Sequence, residues 1–286
     1  MTKRKDYLAV LTMMLMIITS LVGILSFNFN HAYEFINQYG DPVTIYGYGI
    51  YSFDTCLQAA TSIGTDLTIL FILVPMFLYT YLLYRKSNDS ITELKLISLY
   101  TVALYYAASI AFGLTYNQLF LIYLALFVCT LFGTFKHIKN INWDKKIQVT
   151  NGMKVFLILC GAALIVAWLP DVISSLIKGA SLDIIGIYTT CITYILDMGI
   201  ISPLCFVGLY LLIKKEPLGT LILAVLLKLC IIVGIMMIPQ TVCQIALGVN
   251  IPLPALLTKV LSFVILCGFA FYFNKKMYRE LTNLNI

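Results

Sequence analysis

The chain is short of charge. Asp, Glu, Lys and Arg make up only 11% of its 286 residues, against 61% apolar residues and a mean hydropathy of +0.95. Soluble domains average about 25% charged and 45–50% apolar residues, so composition points away from a water-soluble domain. Histidine is scarce as well. His31 and His137 both fall outside the apolar stretches, which disfavours an intramembrane hydrolase of the histidine-rich sort. No GxSxG, HExxH, P-loop or dinucleotide fingerprint is present. The eight cysteines form no CxxC pair and no metal-ligand spacing. Most lie in apolar runs, where a free thiol behaves as a small apolar side chain. Sequence therefore assigns no catalytic residue, no metal and no cofactor. Cys56 and Cys243 fall on the same expected side of the membrane, and spacing alone leaves a disulfide between them open.

What is present is a series of long apolar runs. A helix crossing a hydrocarbon core of about 30 Å needs roughly 20 such residues. Eight spans are expected, at about 7–27, 63–84, 96–115, 117–135, 155–177, 187–213, 218–239 and 254–273. The third and fourth are separated only by Tyr116-Asn117-Gln118 and must form an antiparallel hairpin. The expected fold is an all-α polytopic membrane helix bundle, with residues 1–286 as a single integral membrane domain. Of the 19 basic residues, 16 lie at the two termini and in the 2–3, 4–5 and 6–7 connections. Positive charge concentrates on cytoplasmic loops, which puts both termini, the 136–154 connection and the 274–286 tail in the cytoplasm. The net charge of +6 is thus a topological signal, and no basic and aromatic constellation for nucleic acid accompanies it.

The longest connection, 28–62, lies on the other side. It lacks Lys and Arg but holds Glu34, Asp41 and Asp54. VTIYGYGIY alternates like a short strand, and DTCLQAATSIG reads as an amphipathic helical turn on the membrane surface. Its tyrosines suit interfacial anchoring; a cap over a cavity is the functional alternative. The two halves also echo one another. GTDLTILFILVPMFLYTYLLYRK and YILDMGIISPLCFVGLYLLIKK each run Asp, then Pro (Pro75, Pro203), then Tyr-x-x-x-Arg/Lys-Lys. Upstream, Gly49-Ile50-Tyr51-Ser52 is echoed by Gly186-Ile187-Tyr188-Thr189. A 4+4 parallel repeat, as some transporters use, would explain this.

Ionisable side chains inside apolar spans mark the candidate site. An intramembrane charge costs about 2.5–3.5 kcal/mol on insertion scales and needs a partner or a wet cavity. Asp197, Lys228 and Lys259 are such residues. Counting back from the cytoplasmic ends at about 1.5 Å per residue puts Asp197, Lys259, Asp66 and Asp171 roughly 22–29 Å above the inner face, and Lys228 at about 15–20 Å. Asp66 and Asp171 are near enough to the outer surface to be solvated. The expected site is a polar pocket in the outer half of the bilayer, with Asp197 paired to Lys228 or Lys259. Pro203 and Pro170 would kink the helices beside it and free backbone carbonyls. Tyr105, Tyr106, Asn117, Gln118, Tyr188, Thr190 and Tyr194 are candidate lining groups. A buried ion pair that only fixes helix register is the plain alternative.

GTDLTILFILVP, YNQLFLIYLALF, ILDMGIISP and AVLLKL together resemble a family of uncharacterised bacterial multi-pass membrane proteins. The likeness runs from about Tyr46 to Lys228, through Tyr46-Gly47, Asp66, Asn117, Asp197, Pro203 and Lys228. It implies a bacterial plasma-membrane location and the bundle architecture, but no activity. Three functional classes follow: a small secondary transporter using Asp197 as cation or proton site, a non-catalytic accessory or lipid-sensing component of a membrane complex, and an enzyme on lipid-linked substrates. The expected partners are the lipid bilayer, a small ion or small molecule, and a membrane protein in the accessory case.

Overall fold

The computed structural model describes residues 6–87, 89–141, 143–249 and 260–283. Eight long helices lie among them: α1 (Tyr7–Leu25), α2 (Cys56–Lys86), α3 (Ser90–Gly113), α4 (Phe120–Asn140), α5 (Asn151–Lys178), α6 (Ile192–Ile213), α7 (Pro217–Ala246) and α8 (Ser262–Asn283). The first seven are each long and apolar enough to cross a membrane, and their outward faces (Met14, Ile18, Phe71, Val155, Val207) are exposed hydrophobics that lipid would cover. The chain is an all-α, multi-pass membrane protein. The expected eighth span falls partly outside the described residues. Beyond it the tail remains helical to Asn283, because Ala270, Phe273, Met277 and Leu281 recur at helical spacing and are buried.

The 28–62 connection departs from expectation. Strands β1 (Tyr33–Ile36) and β2 (Pro42–Ile45) pair antiparallel, Tyr33 opposite Ile45, and a 3₁₀ turn follows at Gly49–Tyr51. DTCLQAATSIG does not lie on the membrane surface. Thr55 caps the amide of Gln58 at 3.1 Å, and the segment from Cys56 forms the first turns of α2. Its buried face is built of small residues, Ala59, Ala60, Ser62 and Gly64. A Cβ on Gly64 would collide with the Gln240 backbone, so α2 and α7 approach closely, as small residues permit between membrane helices. Gln240 and Gln244 of α7 then donate side-chain hydrogen bonds to Thr65 and Thr61, at 2.8 and 2.7 Å.

Both α2 and α6 contain one widened, π-helical turn, at Ile69–Leu73 and Asp197–Ile201. Each ends two residues before the helix proline, Pro75 or Pro203. Proline has no amide proton and crowds the preceding turn; a wider turn makes room without breaking the helix. The helix contacts repeat as well. α1 packs on α2 and α4, α2 on α3, and α3 on α4; likewise α5 packs on α6 and α8, α6 on α7, and α7 on α8. Across the halves, α2 packs on α7 and α6 on α3, while α3 and α7 pack on each other. The two halves thus share one set of helix contacts.

Both described ends of the chain lie at one end of the bundle. The amino-terminal side is fixed by Asp6, which caps α1 through the amides of Leu8 and Ala9. The same carboxylate takes hydrogen bonds from Lys136 Nζ (2.8 Å) and His137 Nε2 (2.7 Å) of α4. His137 Nδ1 faces Glu93 Oε1 of α3 at 3.3 Å. Far from lying free outside the spans, His137 is wholly buried. At the other terminus, Tyr278 of α8 lies under the Lys95 ammonium of α3, 5.1 Å from the ring centre.

Burial alone would raise the Asp6 carboxyl, but the bonds from His137 and Lys136 outweigh it and hold it well below the usual carboxylate range. A carboxyl depressed in the folded state contributes stability that is complete above about pH 4 and lost as pH falls further. Asp6→Asn should therefore destabilise the detergent-solubilised protein by about 3–5 kcal/mol at neutral pH, the cost of leaving a buried pair half-broken. Thermal unfolding across pH checks this: the gap to wild type should narrow in acid.

Candidate functional site

The intramembrane carboxylates are held by neutral donors. Asp197 opens the widened turn of α6 and is 6% exposed. Its Oδ1 accepts from the Tyr105 hydroxyl at 2.8 Å and its Oδ2 from Trp168 Nε1 at 2.9 Å. Trp168 stacks on Tyr194, ring centres 4.9 Å apart, and the Tyr194 hydroxyl donates to Asp171 Oδ2 at 2.8 Å. The turn of α6, the kinked stretch of α5 around Pro170 and the α3 tyrosine thus form one polar cluster. Asp66 is separate. It is fully buried, bonded by the hydroxyls of Tyr51 and Tyr106 and pressed against Gly23 of α1. The expectation that Asp66 is solvated is corrected by Tyr51: the 3₁₀ turn of the connecting loop inserts this side chain as a plug.

The other expected members are dispersed. Lys228 is buried on α7 but is not bonded to Asp197; the charge it feels is that of Lys95. Lys259 lies outside the described residues. Asn117 is buried at the α3–α4 turn, where its Oδ1 accepts from the Leu119 amide at 3.0 Å and its Nδ2 donates to Thr115. Its place is that of a turn-forming Asn, whose side chain substitutes for backbone partners. The register-fixing ion pair expected for Asp197 is absent among the described residues, and an aromatic pair takes its place. The signal for that pair was in the sequence as Tyr105 and Trp168, but neither residue type declares a carboxylate partner without the fold.

A slot runs from Asp197 into the bundle between α3, α5, α6, α7 and α8. Its volume is about 50 Å³. Tyr105 and Asp197 lie at its polar end; Phe156, Leu164, Leu229, Val233, Phe263 and Leu266 line the rest, with the thiols of Cys160, Cys205 and Cys230. Such a space accommodates a few waters or a slender apolar chain. Asp66 has no share in it.

Another buried carboxylate, Asp54, joins the loops at the hairpin end. Its Oδ1 accepts from the Thr115 amide at 2.9 Å and the Tyr188 hydroxyl at 2.8 Å. Tyr188 also accepts from the Thr55 amide, and Asn37 Nδ2 donates to the Gly186 carbonyl at 2.8 Å. Cys56 and Cys243 share one apolar cluster at this end, both as free thiols. Comparison with family models, curated proteins and solved structures finds no match. Fold and site together define a multi-pass membrane protein with a carboxylate-ended apolar slot.

Burial pushes Asp54 up to about 6, with the hydrogen bonds from Thr115 and Tyr188 offsetting part of the rise. A carboxyl raised in the folded state favours folding most below its unfolded value near 4 and loses that contribution as pH rises to about 6. Wild type should therefore lose thermal stability relative to Asp54→Asn as pH is raised from about 4 to 6, by on the order of 2–3 kcal/mol in total, and run parallel to it above.

Proposed function

We propose that this membrane protein binds a lipophilic small molecule in the slot, with a proton-donating or cationic end of the ligand meeting Asp197, and that it works as a small proton- or cation-coupled carrier. One observation carries the reading: a buried carboxylate with no cationic partner among the described residues stands at the end of an otherwise apolar slot. A carboxylate in that position can hold a proton or pair with a protonated amine, and each state offers the ligand a different partner. A bare metal cation fits less well. Hard cations take about six or more oxygen ligands, whereas both Asp197 oxygens already accept hydrogen bonds and most of the lining is carbon and sulfur.

The widened turn supports the carrier reading. A π-helical turn adds one residue between fixed helix ends, and its return to α geometry would shift Asp197 against Tyr105 and Trp168. The matching helix contacts of the halves support it too, since transporters are commonly built from repeats with the site at their interface. Here the halves differ in access. Asp66 in the first is closed by Tyr51, whereas Asp197 in the second faces the slot.

Trp168 makes the binding step measurable. The chain has two tryptophans, so Trp143→Phe leaves Trp168 as the sole indole, bonded to Asp197. Hexylamine should shift its emission saturably and raise the thermal transition, whereas hexanol should do neither. Asp197→Asn should fold and lose the amine response. Reconstituted in liposomes, the wild-type protein should couple amine entry to proton movement. A full amine response in a stable Asp197→Asn variant would remove Asp197 from the site.

A further inference from the structure

A second buried charge is independent of the slot. Lys228 lies eleven residues into α7 from Pro217, about 16 Å along the helix. It is 9% exposed. Among the described residues it has no carboxylate partner, and the charge it feels belongs to Lys95 of α3. Lys95 in turn stands over the Tyr278 ring of α8, and no carboxylate among the described residues is bonded to it. The Tyr278 hydroxyl is itself buried without a hydrogen-bond partner. Ser98 Oγ, which donates to the Leu94 carbonyl at 2.9 Å, is the neutral group beside that phenol. Glu280, the acidic residue on this stretch of α8, accepts instead from the Gln148 amide at 2.6 Å.

Two ammonium groups and a phenol donor therefore converge on the seam where α3 and α8 both pack on α7 and barely touch one another. A buried ammonium beside a like charge is unfavourable without an anion, since its desolvation is uncompensated. An ammonium group offers only donors, and the phenol hydroxyl offers its proton as well. The unsatisfied chemistry is that of one acceptor carrying negative charge on several oxygens. Basic clefts between membrane helices accept phosphate head groups for this reason.

We infer that the α3–α7–α8 seam is a binding site for a phosphate-type oxyanion, held by Lys228 from within, by Lys95 at the mouth and by the Tyr278 hydroxyl. The phosphate belongs either to an anionic lipid reaching in from the bilayer or to a free phosphate compound from the aqueous side. The site is at the terminus-bearing end of the bundle, and its existence does not depend on what the Asp197 slot binds.

The test is thermal stability of protein purified in a neutral detergent. One arm titrates inorganic phosphate against chloride at matched ionic strength; the other adds phosphatidylglycerol against phosphatidylcholine in the micelles. The site predicts a rise of a few degrees, saturable, in one arm at least, and the responding arm identifies the source. Lys228→Gln and Lys95→Gln should each lose most of that rise, and Lys228→Gln should be no less stable than wild type without anion. Tyr278→Phe, which removes only the hydroxyl, should weaken the response and keep the fold even if a lysine variant does not express. No anion-specific rise in either arm, or a rise undiminished in Lys95→Gln and Tyr278→Phe, would overturn the assignment.

Discussion

The structure turns on how an ionisable group is kept inside an apolar bundle. Asp66 and Asp197 are both buried, and among the described residues neither has a cation. What they have are phenols and an indole, donors that cost far less to bury than an ammonium and present one proton in a fixed direction. Two of these donors, Tyr105 and Tyr106, are consecutive on α3. Successive helical residues point about 100° apart, so one central helix serves the carboxylate of each half. This ties the two polar sites to one rigid element, α3.

The halves then diverge by what covers each carboxylate. In the first, Gly23 lets α1 press on Asp66, and the loop delivers Tyr51 to close it. In the second, Trp168 and Tyr105 hold Asp197 from the side and leave its front on the slot. The wide turns that precede Pro75 and Pro203 are a feature the two halves share.

Much of the frame was legible from sequence because apolar run length and helix periodicity are local properties. The all-α bundle, the α3–α4 hairpin and the placement of Asp197 beside a proline distortion all follow from such features. What was not legible depends on rotation about helix axes and on loops. Asp197 looked destined for Lys228 or Lys259 because opposite charges advertise each other in sequence, yet among the described residues its partners are Tyr105 and Trp168, and the charge acting on Lys228 is that of Lys95, 133 positions earlier. Hydroxyl and indole partners carry no such mark, since Tyr and Trp serve equally at interfaces. His137 was placed outside the spans by counting run lengths. α4 in fact continues to Asn140, and Asp6 and Glu93 enclose the imidazole there. Asp66 seemed near enough to the surface to be wet until the loop supplied its plug.

The most direct test of the account is the state of the Asp197 carboxyl itself. Infrared difference spectra between amine-free and amine-saturated protein read the carboxyl and carboxylate stretches. The account predicts a change in those bands that disappears in Asp197→Asn and survives in Asp66→Asn. Bands that do not change on amine addition, or a change abolished by Asp66→Asn instead, would contradict it.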